Sequence, residues 1–323
     1  MGQNQSENII DDLNKAQNIY YIKSKKSHLS KYPCFKGYPR STSDSAAHTK
    51  DKKISYDDKS CFFLKLLPYS TTIEKKCIDR EQELLQIFDE DKEILKNEKL
   101  VNVNLDDKEC VLVPSKYYTL KDVFEYLWHE VHYTDEKLIC VISFQALKIL
   151  KILKDHNVVH NGIKFENFIV ESENPVKIIL TDFKHAQKIN EEEKSKMFGG
   201  TSIFKAPEVL EKKGHDFSAD MWSLGCNIYL SIFNKYPFDI EQDDDDNTIL
   251  YKIKNNELTN KNKLASKDAW DVITKMFVLR PESRITPEEA IELDWFEEQR
   301  TPPNVAPADG GRINMDGDGE LNV

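Results

Sequence analysis

The chain contains 323 residues, of which 39% are hydrophobic and 31% are charged, and its net charge is −11. These values exclude fibrous and disordered chains and indicate a globular protein with one large two-lobed domain or two medium-sized ones. The excess of acidic residues argues against a nucleic-acid partner, because binding to nucleic acid requires a basic surface.

The six cysteines are scattered along the chain and form no C-x-x-C pair. No secretory signal accompanies them. This combination predicts reduced thiols in the cytoplasm, and it argues against a disulfide framework or a zinc site.

Residues 1–41 are polar and rich in lysine, and we expect them to form an N-terminal extension. The opening "MGQNQS" matches the N-myristoylation pattern on Gly2. One myristoyl chain binds membranes weakly, so "KSKKSHLSK" at residues 23–31 is a candidate second contact with an anionic membrane surface. The alternative is a solvated basic arm. Peripheral membrane association of a cytoplasmic protein is the preferred interpretation.

The next segments read as strands and one helix. "SCFFLKLLP" is a short apolar run closed by Pro68, and "ECVLVP" is a second run stopped at Pro114, so each predicts a buried strand. Between them, "CIDREQELLQIFDEDKEILK" carries Leu84, Leu85 and Phe88 on one helical face.

The following segments are mainly helical. "TLKDVFEYL" predicts a helical region, and "LICVISFQALKILKIL" predicts a buried amphipathic helix, because polar residues interrupt it too often for a membrane span. "NFIV" and "VKIIL" flank the turn "ESENP" and predict a pair of strands. "SADMWSLGCNIYLSIF" is apolar nearly all round, as in a helix buried in a core. Strands first and helices later indicate an α+β fold.

The C-terminal tail is rich in Pro and Gly and ends in "NMDGDGELNV". Asn314, Asp316, Asp318 and Gly319 match the first half of an EF-hand loop, but the glutamate of its last position is missing. We therefore expect a flexible acidic tail over residues 299–323 and no tight calcium site.

A series of short motifs lies between these elements. Residues 157–170 read "NVVHNGIKFENFIV", where His160, Lys164 and Asn167 have the spacing of the protein-kinase catalytic loop, H-R-D-x-K-x-x-N. Further motifs follow in order, namely Asp182-Phe183, Ala206-Pro207-Glu208, Asp220 in "DMWSLG" and Arg284 in "RPESRIT". Together they resemble a eukaryotic protein kinase domain over about residues 42–298. In detail the sequence most resembles the calcium- and calmodulin-dependent group of Ser/Thr kinases.

The resemblance implies a two-lobed protein-kinase-like fold of the α+β class, with a small β-rich N-lobe at residues 42–115 and a larger helical C-lobe at residues 116–298. It also implies that Glu208 and Arg284 form a buried ion pair and that Asp220 anchors the catalytic loop.

The resemblance further implies a binding site for ATP and Mg²⁺. Lys65 would hold the α- and β-phosphates and Glu81 would be its helical partner, with Glu83 as the alternative. Lys164 would be the lysine of the catalytic loop, Asn167 the ligand of a second metal ion, and Asp182 the main metal ligand. The other interpretation is that these polar residues persist as hydrogen-bond ties in a pocket that binds nothing.

Four departures from the family pattern concern the chemistry. Gly162 stands where the catalytic base Asp belongs, and glycine accepts no proton. Asn161 replaces the Arg that pairs with an activation-loop phosphate, and Lys184 replaces the Gly of D-F-G. The Gly-rich phosphate loop is also missing, because no glycine occurs between Tyr38 and Asn161. If the family's spacing back from Lys65 holds, its three glycine positions fall on Ser43, Ser45 and His48.

These departures predict a pseudokinase that acts as a scaffold or allosteric binding partner of other proteins. One alternative is a slow Ser/Thr protein kinase that uses Glu166 or Asp182 as its base. Another is a purely structural subunit with a collapsed pocket. The activation segment carries few hydroxyls, at Ser195, Thr201 and Ser202, so we expect little control by phosphorylation.

Overall fold

The computed structural model describes residues 12–13, 20–26, 34–39, 61–105, 108–116, 118, 121–129, 135–190, 192–258 and 264–300. Several predicted features lie outside these residues, namely Gly2, Ser43, Ser45, His48 and the tail from Thr301.

The N-terminal part contains a five-stranded antiparallel sheet and a helix that follows its third strand. The strands have the order β1-β2-β3-β5-β4. Their bounds are β1 Tyr20–Lys26, β2 Cys34–Pro39, β3 Phe62–Pro68, β4 Val101–Leu105 and β5 Lys108–Lys116, and helix α1 is Thr72–Leu85. Strand β3 lies between β2 and β5, with Lys65 opposite Cys34 on one side and Val113 on the other. The sheet therefore holds Lys65 at its centre.

The sheet begins earlier than residue 42, the predicted start of the N-lobe. Tyr20, Ile22 and Phe35 of β1 and β2 are buried in its core, and Phe35 pairs with Leu64 of β3. In the sequence these apolar residues stand among lysines, so the composition of the segment indicated an N-terminal extension and not strands. Residues 23–26 of the candidate membrane-binding segment are thus part of β1.

Helix α1 also begins earlier than its apolar face suggested. A capping box fixes its start: the Thr71 side chain accepts a hydrogen bond from Glu74 N, and Glu74 binds back to the Thr71 backbone. The helix ends at Leu85, and a 3₁₀ turn then carries the fully buried Phe88.

The C-terminal part is mainly helical. Its helices are α2 Val123–His129, α3 Glu136–Asp155, α4 Pro207–Leu210, α5 Phe217–Phe233, α6 Asp246–Asn255, α7 Lys267–Met276, α8 Pro287–Ile291 and α9 Glu297–Arg300. The strands β6 Val158–Val159 and β9 Gln187–Lys188 form one antiparallel pair, and β7 Phe168–Glu173 and β8 Val176–Leu180 form another. Helices α3 and α5 lie at the centre. Half of the residues of α3 and most of those of α5 are buried.

Glu208 and Arg284 form the buried ion pair that the resemblance implied. The two guanidinium nitrogens donate to the two carboxylate oxygens at 2.8 and 3.1 Å, and both side chains are almost fully buried. Within the described ranges, no helix is long and apolar enough to cross a membrane.

Candidate functional site

Helix α5 holds the segment that carries the candidate catalytic-loop residues. Asp220 accepts hydrogen bonds from the backbone N–H groups of His160 and Asn161, at 2.7 and 3.0 Å. About two turns further along the helix, Asn227 accepts from Phe165 N at 2.9 Å and donates to Ile163 O at 3.3 Å. Burial raises the pKa of Asp220 to about 7, although both backbone donors oppose this shift. The loop is thus fixed at both ends by one buried helix.

A cluster of aromatic rings joins this loop to the 3₁₀ turn that follows helix α1. The ring of Phe183 lies 4.8 Å from that of His160 and 5.6 Å from that of Phe88, measured between centroids. Both His160 and Phe183 are buried. Burial lowers the pKa of His160 to about 4, so the imidazole is neutral near pH 7. This aromatic cluster positions Asp182, which has a left-handed backbone conformation with φ of 64°.

Gly162 lies beside these residues in an ordinary backbone conformation. A Cβ at this position would lie 3.5 Å from His160 Nδ1 and 3.7 Å from Asn167 Nδ2, which are normal contact distances. The Asn167 side chain donates to Gly162 O at 2.7 Å. The loop therefore has room for a side chain at residue 162, and the sequence supplies none.

A cavity of about 170 Å³ opens in front of the loop. Three lysines line it, Lys164, Lys184 and Lys205, and Asp182 is its one carboxylate among the described residues. Lys164 Nζ lies 3.9 Å from Glu166, and Lys205 Nζ lies 3.6 Å from Asp246. Three of the four charged Lys and Asp side chains in the described lining are positive, so the cavity favours an anion over a cation.

Asp182 lies among cations. Lys184 Nζ donates to Asp182 Oδ2 at 2.7 Å, whereas Asp182 Oδ1 is buried and has no hydrogen-bond partner among the described residues. Burial favours the neutral acid, but the positive charges of Lys65 and Lys184 outweigh it, and the pKa of Asp182 lies below its usual value. Asp182 is thus an ionised carboxylate held by lysines.

Helix α1 places Glu81 near Asp182 and Lys65. Burial raises the pKa of Glu81, while nearby Lys65 and a hydrogen bond from Phe183 N act in the opposite direction. The alternative partner, Glu83, is exposed on the outer face of the helix. Lys65, Glu81 and Asp182 thus lie near enough to influence one another electrostatically. Their roles in nucleotide binding stay predictions.

A family model described as the protein kinase domain matches residues 51–296, about three quarters of the chain. The chain belongs to the protein kinase family. The two-lobed α+β fold predicted from the sequence is thereby confirmed.

Individual relatives match over part of the chain. Aurora kinase of Dictyostelium discoideum is 30% identical over 173 residues, covering 54% of this chain and 43% of its own length. Serine/threonine-protein kinase plk-1 of Caenorhabditis elegans is 33% identical over 144 residues, covering 45% and 21%, respectively. Human serine/threonine-protein kinase D3 is 30% identical over 170 residues, covering 51% and 18%. The chain spans less than half the length of these relatives, and the calcium- and calmodulin-dependent subgroup stays a prediction.

Protein kinase domains typically bind ATP and Mg²⁺, and the two groups fit this site differently. The lysines around Asp182 suit the phosphates of a nucleotide. For Mg²⁺, the Lys184 ammonium group already donates to Asp182 Oδ2 and places a positive charge beside the main candidate ligand. These residues fit a nucleotide better than a metal ion.

The kinase activation segment is held by a neutral hydrogen-bonded cluster around Asn161. The Asn161 amide nitrogen donates to His185 O at 3.0 Å and to Ser195 Oγ at 3.3 Å. His215 Nε2 donates to Asn161 Oδ1 at 2.6 Å, and Ser195 Oγ donates to Gln187 at 3.1 Å. Ser195 and His215 are buried. Sequence reasoning missed His215 and Gln187, since residues so far apart along the chain give no local pattern.

Proposed function

We propose that this protein is a pseudokinase that binds a nucleotide without transferring its phosphate and acts as a scaffold or allosteric partner of other proteins. The observation that carries the proposal is Gly162, which leaves the position of the catalytic base without a proton acceptor. A positioned base contributes roughly 10²–10⁴ to the rate of such reactions.

Neither carboxylate considered as a replacement base is suited to the role. Asp182 is engaged by Lys184 and its pKa is lowered, so it is a weak base. Glu166 lies beside Lys164 and is absent from the described lining of the cavity. No observation therefore favours the slow Ser/Thr kinase over the pseudokinase.

The Asn161 cluster supports a scaffold role. In kinases that are switched by phosphorylation, a phosphate on the activation loop pairs with a cation and orders the loop. Here a neutral amide orders the segment through contacts within the chain, and Ser195 is buried within it. The segment can therefore present one constant surface to a partner protein.

The decisive experiment is a phosphate-transfer assay on the full chain with γ-labelled ATP and generic protein and peptide substrates. We expect the wild type to give the same background as Asp182→Asn, which removes the main candidate metal ligand. Transfer by the wild type that Asp182→Asn abolishes would show an active kinase and overturn the proposal.

Membrane association remains part of the proposal, through a myristoyl group on Gly2 and the basic residues that follow it. Binding of myristoylated protein to vesicles that contain phosphatidylserine tests it. We expect Gly2→Ala to abolish sedimentation with the vesicles. Equal sedimentation of the two proteins would remove lipid anchoring from the account.

A further inference from the structure

Lys184 is the residue of the pocket that departs most from the chemistry of a metal-dependent nucleotide site. It lies in the 3₁₀ turn Phe183–His185, two residues after Asp182. Its Nζ donates to Asp182 Oδ2 at 2.7 Å. About half of its side chain is exposed, against 19% for Asp182, and both residues line the cavity. The cation beside the Asp182 carboxylate is thus the ammonium group of Lys184.

An ammonium group can perform part of the task of a metal ion in this place. Lysine presents a compact positive charge with three N–H donors. One donor reaches Asp182, and the other two remain for phosphate oxygens. A divalent ion beside the same carboxylate would lie within a few ångströms of this ammonium group and would be repelled by it.

The surrounding charges also favour an anion over a cation. Lys164 and Lys205 line the cavity together with Lys184, and Lys65 acts electrostatically on Asp182. Asp182 is the one carboxylate of the described lining, and the carboxylates beside Lys164 and Lys205, those of Glu166 and Asp246, lie outside it. The charges that face the cavity are therefore mainly positive.

We propose that the pocket binds the triphosphate of a nucleoside triphosphate in its metal-free form, with the Lys184 ammonium group in the place of a metal ion beside Asp182. This inference rests on the proposed function as a nucleotide-binding pseudokinase. It predicts that Mg²⁺ lowers the affinity, because the metal complex of ATP carries its own cation to the site where Lys184 lies.

The test is titration calorimetry of ATP with the full chain, once in EDTA and once in excess Mg²⁺. The variants are Lys184→Met, which keeps the length of the side chain without its charge, and Lys188→Met as the matched control. Lys188 is exposed on β9 and does not line the cavity. The control removes the same charge four residues further along the chain.

We expect the wild type and Lys188→Met to bind ATP more tightly in EDTA than in Mg²⁺. In EDTA, Lys184→Met should bind about tenfold or more weakly than the wild type, since it loses a charge-assisted hydrogen bond to phosphate. In this variant Mg²⁺ should strengthen binding, because Asp182 is then free to accept the metal.

Two results would overturn the inference, and they are distinguishable. If Mg²⁺ strengthens ATP binding to the wild type, the metal-free site is wrong and the nucleotide-binding pseudokinase stands. If the folded wild type and Lys184→Met both bind no ATP in either buffer, the nucleotide-binding part of the proposed function fails as well.

Discussion

At the scale of single residues, two glycines of the pocket differ in what their backbones allow. Gly162 has an ordinary conformation, and a methyl group at this position would meet its neighbours at normal contact distances. Gly200 has φ of 93°, and a Cβ there would lie 2.8 Å from Asn161 O. The first glycine is thus a chemical substitution that the fold does not require. The second is required by the backbone.

Substitution of each glycine by alanine tests whether the fold requires glycine at that position. We expect Gly162→Ala to change the free energy of unfolding by less than about 1 kcal/mol, with stabilisation favoured because alanine restricts the unfolded chain. Gly200→Ala should destabilise by roughly 1–3 kcal/mol, because of its positive φ and its close backbone neighbour. Urea denaturation measures both, and a loss for Gly162→Ala as large as that for Gly200→Ala would contradict the account.

His160 makes stability depend on pH. Its pKa is about 4 in the folded state against an ordinary value of 6.5, so between these values the unfolded chain binds a proton that the folded chain does not. The contribution of neutral His160 to the free energy of unfolding is therefore complete above the ordinary pKa of 6.5, and it is lost as the pH falls toward 4.

The comparison variant is His160→Phe, which keeps a ring against Phe183. Between about pH 7 and about pH 5, the wild type should lose about 2 kcal/mol more free energy of unfolding than this variant. Denaturation curves at the two pH values measure the difference. Because Asp220 is present in both proteins, its own titration cancels in the comparison, and equal losses would mean that His160 is not buried as a neutral imidazole.

At the scale of elements, the sequence predicted those segments whose pattern is local. The short apolar run "FFLKLL", closed by Pro68, predicted β3, and the apolar "DMWSLGCNIYL" predicted the buried helix α5. Strands β1 and β2 were not predicted, because their buried Tyr20, Ile22 and Phe35 stand among lysines in the sequence. The strand with which β2 pairs, β3, begins more than twenty residues later in the chain. Long-range pairing, and not local propensity, makes these segments strands.

The same distinction holds within the site. The family resemblance implied that Lys65, Glu81 and Asp182 belong to one site. It could not predict the hydrogen bonds that join Asn161 to Ser195 and His215, because these link three separate segments.

The hydrogen bonds of the Asn161 cluster should slow local opening of the activation segment. Asn161→Ala removes the amide that bridges His185 O, Ser195 Oγ and His215 Nε2. The amide hydrogens of Ser195 and Met197 should then exchange about tenfold or more faster, while those of helix α5 keep their rates. Hydrogen exchange read by mass spectrometry measures this, with Lys188→Met as the control. Unchanged exchange at Ser195 would show that other contacts order the segment.

At the scale of the whole molecule, a protein kinase fold is combined with a pocket that departs from the family pattern at two positions. Gly162 stands at the motif position of the catalytic base, and Lys184 donates a hydrogen bond to Asp182. The anchoring by Asp220, the ion pair of Glu208 and Arg284 and the aromatic cluster of His160 all remain.

The central claim is that the missing proton acceptor at residue 162, together with Lys184 beside Asp182, keeps this protein from transferring phosphate. The most direct test compares phosphate transfer by the wild type with two double variants, Gly162→Asp with Lys184→Gly and Gly162→Asn with Lys184→Gly. The Asn variant has the size of the Asp variant without its proton acceptor. We predict background for the wild type and the Asn variant, and transfer at least about 10² faster for the Asp variant. Transfer by the wild type as fast as that by the Asp variant would contradict the claim.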